Sequence, residues 1–195
     1  MSRKAEVERR TQETTVKVAI DLDGKGRNDI TTGISLFDHM LKVFGVHGFL
    51  DLSITAQGDI EVDSHHTVED VGIVLGDAIE RALGDRKGIR RYGFAVTPMD
   101  EALAAVAIDL SRRAYLVFQM PACDAVEQTF NRSLAKEFFK SIAYHGGMNL
   151  HVTVPYGENE HHILEAAFKS FGRALGQAVG LDARVTGVRS SKGML

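Results

Sequence analysis

Residues 65–84 read HHTVEDVGIVLGDAIERALG, and residues 161–180 of the same chain read HHILEAAFKSFGRALGQAVG. The two segments share both histidines, the glutamate four positions after the first histidine, and matching alanines and glycines. Two more pairs of segments match in the same order and at nearly the same spacing: SLFDHMLKVFGVHG (35–48) with SLAKEFFKSIAYHG (133–146), and ETTVKVAIDL (13–22) with EALAAVAIDL (101–110). Three matched blocks predict that the chain contains two copies of one unit.

The two copies predict the same kinds of secondary structure. Alternating apolar residues at 16–22, 52–54 and 150–154 are typical of half-buried strands. Residues 36–46 and 134–144 predict short helices, and the segments that follow the histidine pairs predict longer helices ending at Gly84 and Gly180. We therefore expect an α+β fold with an internally duplicated unit, in which two pseudo-symmetric halves pack sheets against helices.

Length and composition limit the organisation and the partners of the protein. A chain of 195 residues is long enough for one compact duplicated domain, and we place its halves at residues 1–92 and 93–195, the second including a C-terminal substrate-binding tail. A net charge of −3 argues against nucleic-acid binding, and no apolar run is long enough to span a membrane. The single cysteine, Cys123, excludes an internal disulfide, and the first residues do not resemble a secretory signal. We expect a cytoplasmic protein.

The spacing of the histidine motifs predicts metal binding. On a helix, residues four apart share a face, so His65 with Glu69, and His161 with Glu165, can each hold a cation. The second histidine of each pair points about 100° away. If the two copies face each other, each second histidine completes the site of the opposite copy.

The alternative is that these histidines are solvated residues at helix N-termini, where the helix dipole favours acidic neighbours. A single motif would favour that interpretation, but two motifs at matching positions of a duplicated unit argue against it. His39 and His145 are candidates for one further ligand each. Imidazoles combined with carboxylates favour Mn²⁺, Fe²⁺ or Zn²⁺ over Ca²⁺ or Mg²⁺, and we expect manganese because no thiolate is present among the candidates.

The sequence closely resembles the imidazoleglycerol-phosphate dehydratase family of histidine biosynthesis, in its monofunctional form. The resemblance covers essentially the whole chain and includes VDSHHTVEDVGIVL, GENEHHILEAAFK, TGISLFDHML, KGIRRYG, PMDEALA, HGGMNLHV and SSKG. It implies a duplicated fold, two Mn²⁺ ions per active site with Fe²⁺ or Zn²⁺ as possible substitutes, and self-association into an octahedral shell of 24 subunits. Active sites in such a shell lie between subunits.

The resemblance also implies the ligands of each ion. One ion is assigned to His39, His66, His161 and Glu165, and the other to His65, Glu69, His145 and His162. These sets agree with the crossed pairing of the two motifs, which by itself leaves open whether the ligands of one ion come from the same chain or from neighbouring chains. The outer ligands break the repeat, because His145 aligns with His47 and not with His39.

The implied reaction is metal-dependent dehydration of D-erythro-imidazole glycerol phosphate to imidazole acetol phosphate. The proton that is lost lies on an unactivated carbon, so two cations on the ring nitrogens are needed to stabilise an imidazolate. The resemblance makes Glu13 the base, and it leaves His47 for substrate contact or proton transfer. Glu69 and Glu165 complete the catalytic residues that we predict. Without the resemblance, Glu13 would pass for a solvated charge at a strand edge.

Candidate substrate contacts lie in three other segments. The resemblance assigns substrate or phosphate binding to Arg91, Asp100, Arg113, Ser190, Ser191 and Lys192. Cationic and hydroxyl donors are the groups that bind phosphate. Val43 stands where many family members carry glutamine, so one polar substrate contact is missing or replaced.

Two other functions are alternatives to dehydration. A dinuclear metal hydrolase would use a bridging water on a phosphate ester, but bridging aspartates are missing near the histidines. A metal-storage or metal-sensing shell explains neither the arginines nor the Ser-Ser-Lys segment at the C-terminus. Dehydration is the interpretation that uses all of these residues.

Overall fold

The structure is a computed structural model that describes residues 3–122 and 129–194, so Cys123 lies outside the described residues. The first half contains β1 (Lys4–Arg10), β2 (Thr14–Asp21), β3 (Asn28–Thr31), α1 (Ser35–Gly48), β4 (Asp51–Gly58) and α2 (His65–Leu83). The second half contains β5 (Tyr92–Met99), β6 (Ala102–Asp109), β7 (Tyr115–Gln119), α3 (Arg132–His145), β8 (Asn149–Tyr156) and α4 (Glu160–Val179). The same order of elements thus occurs twice.

The two sheets also share one topology. The first has the strand order β1-β2-β4-β3 and the second β5-β6-β8-β7. In each sheet the last strand of that order pairs parallel to its neighbour, and the other pairs are antiparallel. The predicted α+β fold with two pseudo-symmetric halves is confirmed. Within the described ranges, the helices are too short or too polar to cross a membrane.

The predicted elements agree with the structure apart from their ends. In β2, Val16, Val18 and Ile20 are buried and alternate with outward-facing residues, as the period of two requires. Each short helix extends one or two residues beyond the prediction at both ends. The side chain of Asn131 accepts hydrogen bonds from the backbone N–H groups of Ser133 and Leu134, which explains why α3 begins before its first apolar residue.

The helices pack across the two halves. Helix α1 of the first half lies against α4 of the second, and α2 lies against α3. The rings of Phe44 and Phe171 stack between α1 and α4 with centroids 4.8 Å apart, and those of Phe37 in α1 and Phe138 in α3 meet edge to face with centroids 5.4 Å apart. Because each half contributes one helix to each cross-half pair, the two halves share one hydrophobic core.

One pair of glycines shared by the two copies, Gly76 and Gly172, lies where the helices cross. A Cβ atom on Gly172 of α4 would overlap the carbonyl oxygen of Phe44 in α1. A Cβ on Gly76 of α2 would lie 2.7 Å from Cβ of His145 and 2.9 Å from the backbone nitrogen of Gly146. Both distances are too short for a side chain, so glycine is required at both crossings by the close approach of two backbones.

A buried arginine fixes the turn that follows α3. Arg86 is 1% exposed, and its guanidinium donates to the carbonyl oxygens of Gly146 and Gly147 and to the carboxylate of Glu80. Carbonyl oxygens and a carboxylate together compensate much of the desolvation of the charge. The end of α3, which carries His145, is therefore tied to the segment that leaves α2.

We expect Gly172→Ala to lower the free energy of unfolding by about 1–3 kcal/mol, because the added methyl group forces α1 away from α4. Alanine by itself favours helix over glycine by about 0.5–1 kcal/mol, so a net loss identifies the steric cost of the crossing. Urea unfolding followed by circular dichroism measures it. The control is Gly180→Ala, just beyond the end of α4, where φ is −56° and the nearest atom to the new Cβ is 3.2 Å away. Equal losses in both variants would contradict the crossing argument.

Candidate metal centre and anion cavity

Three ligand groups meet where α1 lies against α4. The Asn159 side chain caps α4 by accepting a hydrogen bond from the backbone N–H of His161, so the first turn is helical from Glu160 onward. His161 Nε2 lies 3.1 Å from Glu165 Oε2, and His39 Nε2 from α1 lies 3.4 Å from the same oxygen. Within the described residues, this is the one group of three or more candidate ligands whose donor atoms all lie within 4.8 Å of one another.

The charge of Glu165 suits it to a cation. Burial raises the pKa of its carboxyl, but hydrogen bonds from Lys169 and His39 outweigh burial and hold the pKa below its ordinary value. The ammonium of Lys169 is 2.6 Å from Oε1, which leaves Oε2 toward the two histidines. Two imidazoles and one ionised carboxylate form a donor set that fits Mn²⁺, Fe²⁺ or Zn²⁺. Lys169 is not among the site residues predicted from the sequence, although its spacing of four residues from Glu165 is a usable signal.

The other motif forms only a pair within one chain. His65 Nε2 is 3.7 Å from Glu69 Oε2 across one turn of α2, as the sequence predicts. Over residues 3–122 and 129–194, no third candidate ligand joins them. His66 and His162, which the crossed arrangement assigns to the opposite motifs, lie instead beside other carboxylates.

Three predicted ligand histidines are held through the same ring nitrogen. The Nδ1 atom of His66 is 3.2 Å from both carboxylate oxygens of Asp59, and that hydrogen bond is the main reason why the pKa of His66 is raised. His145 Nδ1 is 3.0 Å from Asp77 Oδ1. In each ring, Nε2 remains on the opposite side from the carboxylate.

The third of these histidines contacts a glutamate. His162 Nδ1 is 2.7 Å from Glu101 Oε2, and this contact is the main cause of the raised pKa of His162. Asp100, with its backbone in the left-handed region at φ 47°, lies 3.6 Å from His162 Nε2. The structure therefore places Asp100 beside this histidine, at a distance from the arginines with which the resemblance grouped it for substrate binding.

The repeat-related glutamates Glu13 and Glu101 have different surroundings. The carboxylate of Glu101 accepts backbone hydrogen bonds from Asn159 and Glu158 as well as the contact from His162, and these bonds lower its pKa to about 2. The carboxylate of Glu13 is 57% exposed, and its nearest charged neighbour is His66, whose Nδ1 is 3.8 Å away. In the described part of the chain, the Glu13 carboxylate accepts no backbone hydrogen bond.

His47 lies in the last turn of α1. Burial lowers its pKa, and the positive charges of Lys169 and Arg173 lower it further. The lowered pKa favours the neutral form of the imidazole. Val43, one turn earlier on α1, is partly buried against the core.

A separate cavity of about 670 Å³ collects the predicted phosphate contacts. Its lining residues include five that the resemblance had named, together with four that it had not: Arg91, Arg113, Ser190, Ser191 and Lys192, then Tyr92, Ser111, Arg189 and Met194. These residues lie at the start of β5, in the loop after β6 and in the C-terminal tail. Their positive charge makes the cavity a candidate anion site.

The two predicted arginines of this cavity differ in what they contact. Arg91 donates to both oxygens of Asp109, at 2.6 and 3.0 Å, and to the carbonyl oxygen of Arg189 at 2.7 Å. It thereby ties the tail to the end of β6. Across the described ranges, the guanidinium of Arg113 makes no hydrogen bond to protein atoms, so its donors are available to an anion.

Comparison with known proteins gives one family. A family model described as imidazoleglycerol-phosphate dehydratase matches residues 32–175. Imidazoleglycerol-phosphate dehydratases from Desulfosudis oleivorans and Acetivibrio thermocellus are 58% and 53% identical to the chain, and in both cases the match covers 100% of both proteins.

Solved structures agree with the sequence matches. The crystal structure of imidazoleglycerol-phosphate dehydratase from Staphylococcus aureus matches with a TM-score of 0.82 and 36% identity, covering 92% of this chain and 99% of that one. The Pyrococcus furiosus enzyme in complex with (S)-C348 matches with a TM-score of 0.85 and 38% identity, covering 97% and 100%.

Proposed function

Because the chain belongs to the imidazoleglycerol-phosphate dehydratase family, and is thus a hydro-lyase of histidine biosynthesis, we propose that it dehydrates D-erythro-imidazole glycerol phosphate to imidazole acetol phosphate in a metal-dependent reaction in the cytoplasm. The observation that carries this proposal is the group formed by His39, His161 and Glu165. An azole substrate and a divalent cation share such a site naturally, since imidazole is itself a metal ligand.

We assign two Mn²⁺ ions to each active site, with Fe²⁺ or Zn²⁺ as substitutes. His39, His66, His161 and Glu165 would hold one ion, and His65, Glu69, His145 and His162 the other. Bound at the substrate ring, the ions would supply Lewis-acid stabilisation of a developing ring anion. The ligand glutamates Glu69 and Glu165 would also fix the position of that ring.

Glu13 is our candidate for the base that removes the proton from the substrate carbon. Its carboxylate is exposed, whereas the three hydrogen bonds of Glu101 occupy that carboxylate and depress its basicity. His47 is the candidate group for substrate contact or proton transfer: because the departing hydroxyl leaves as water only with a proton, the imidazole would first accept a proton and then pass it to that oxygen. These roles need both residues to face one substrate.

The phosphate would bind in the arginine-lined cavity. Arg113, Lys192, Ser190 and Ser191 would donate to its oxygens, since they line one cavity and carry suitable donors. Arg91 would act differently, by holding the tail through Asp109 and the Arg189 carbonyl. Asp100 would contact the substrate near His162 and away from the phosphate.

Self-association would complete the active site, and we propose the 24-subunit octahedral shell of the family, with sites between subunits. One support is that neither ligand set is complete in one chain over its described residues. Another is a difference between the sheets. The outer face of β5 exposes Tyr92, Phe94 and Val96, whereas the same face of β1 exposes charged side chains such as Lys4 and Glu8. A large exposed apolar patch is typical of an interface, so the second sheet is where we place subunit contacts.

The direct test is incubation of imidazole glycerol phosphate with the Mn²⁺-loaded protein. We expect stoichiometric formation of the ketone, detected by mass spectrometry or by its absorbance in alkali, without release of inorganic phosphate. Phosphate release with no ketone would identify a phosphatase and contradict dehydration. Binding of the metal without turnover of the substrate would favour storage.

We expect Arg113→Ala to raise KM for the phosphorylated substrate about ten- to a hundredfold, with a much smaller change in kcat. A charge-assisted hydrogen bond to phosphate contributes roughly 1.5–3 kcal/mol. Steady-state kinetics measure the effect, and Arg184→Ala is the control because Arg184 pairs with Asp182 outside this cavity. An equal loss on a dephosphorylated analogue would show that Arg113 does not bind the phosphate.

We expect removal of metal by a chelator to abolish activity and to dissociate the shell into a smaller oligomer, most simply a trimer. If each ion takes ligands from two subunits, then its binding free energy also stabilises the interface. Adding Mn²⁺ back should restore activity and size over one concentration range, as followed by light scattering and the activity assay. A constant particle size while activity vanishes and returns would contradict ligand sharing between subunits.

A further inference from the structure

The six histidines of the proposed metal sites fall into two groups. His66, His145 and His162 each contact through Nδ1 a carboxylate that is not itself a proposed ligand. His39, His65 and His161 instead approach, through Nε2, the glutamates with which they would share an ion. Within the described residues, a carboxylate thus holds each of the first three rings through Nδ1, and no carboxylate holds the other three rings in this way. We call the first three histidines anchored.

An anchored imidazole has a defined ligating atom. A carboxylate that accepts the Nδ1 proton fixes the tautomer in which Nε2 carries the free lone pair, and it also fixes the plane of the ring. The negative charge behind the ring makes that lone pair more basic and hence a better donor to a cation. The desolvation free energy of such a carboxylate is small when the side chain is only partly buried, as those of Asp59 and Asp77 are.

The carboxylates come from unrelated positions in the repeat. Glu101 holds His162, but its repeat mate Glu13 does not hold His66 in the same way, because Asp59 occupies that place at 3.2 Å and Glu13 lies 3.8 Å away. Asp59 directly follows β4, and the residue that directly follows β8 in the second half is Gly157. The first half therefore holds its histidine through an aspartate, which has no carboxylate counterpart at the matching position of the second half, and not through the repeated glutamate.

We propose that Asp59, Asp77 and Glu101 are positioning residues, which hold His66, His145 and His162 with Nε2 directed to the metal, and that Asp59 also leaves Glu13 available as the base. The inference rests on the proposed metal-dependent dehydration and adds three residues outside its ligand sets. It also gives a physical reason why only one of the two repeated glutamates can take the catalytic role.

The test is metal titration of chelated protein, because binding can be measured without turnover. We expect wild type to bind two Mn²⁺ ions per chain, detected by loss of the free-ion electron paramagnetic resonance signal. Asp77→Asn and Asp59→Asn should each lower the affinity for one of the two ions by about ten- to a hundredfold and leave the affinity for the other ion unchanged. Their combination should weaken both ions, because His145 and His66 serve different ions. Asp77→Glu, which restores a charge behind His145, should recover part of the affinity.

Two matched variants control for loss of negative charge. Glu137→Gln lies on α3 with His145 but contacts Lys140, and Glu61→Gln is an exposed change two residues from Asp59. Both should bind two ions with wild-type affinity. If the Asp59→Asn and Asp77→Asn variants bind both ions with the affinity of these controls, the positioning role is overturned. The proposed function is not contradicted by that outcome as long as wild type binds two ions. Failure of wild type to bind Mn²⁺ would overturn both.

A kinetic measurement separates the second part of the proposal. In Asp59→Asn the freed His66 would draw Glu13 toward its ring, so kcat should fall even at saturating Mn²⁺, with KM changed less. In Asp77→Asn saturating Mn²⁺ should restore most of kcat. Equal recovery of both variants at high Mn²⁺ would show that Asp59 does not keep Glu13 available.

Discussion

The close approach of helices from opposite halves is the constraint on which the rest of the molecule depends. Glycine at the crossings lets α1 lie against α4 and α2 against α3 with backbone nearly in contact. That packing merges the two halves into one core and brings His39 of the first half to the histidine motif of the second. A longer distance between α1 and α4 would leave His161 and Glu165 as an isolated pair, like His65 and Glu69 on α2.

Charge is distributed so that the candidate ligands are ready for a cation. Lys169 and His39 keep Glu165 ionised despite its burial. Carboxylates behind three histidines fix which ring nitrogen faces outward. Preorganised ligands lose less conformational entropy when the ion binds, which favours affinity.

The duplicated unit contains two similar histidine motifs whose neighbouring glutamates have different surroundings. Glu101 accepts backbone N–H donors at the start of α4 and contacts His162, whereas Glu13 is exposed. The candidate anion cavity has no such duplication, because its cationic residues lie just before β5, in the loop after β6 and in the C-terminal tail. Arg91 connects that tail to β6 through Asp109, so one ion pair helps shape the cavity.

The sequence alone determined the duplicated architecture and singled out the candidate site residues. Two periods, of 2 and 3.6 residues, and the repetition of glycine at 76 and 172 depend only on local geometry, so they can be read without coordinates. The family resemblance implied the candidate metal ligands and the candidate phosphate contacts, and five of these candidate contacts line one cavity. The predicted ends of the short helices differ from the observed ends by one or two residues, because the prediction follows the apolar pattern and not capping residues such as Asn131.

Only the tertiary structure decided which of these groups meet. One deciding contact lies within a helix, that of Lys169 with Glu165. Three others join residues on different elements: Asp59 with His66, Asp77 with His145, and Glu101 with His162. Sequence spacing predicts a contact along one helix because the helix fixes the distance. It cannot predict a contact between elements, since that distance depends on how closely the backbones pack. The same reason explains why one histidine motif gained a third ligand within the chain and the other, equally clear in sequence, did not.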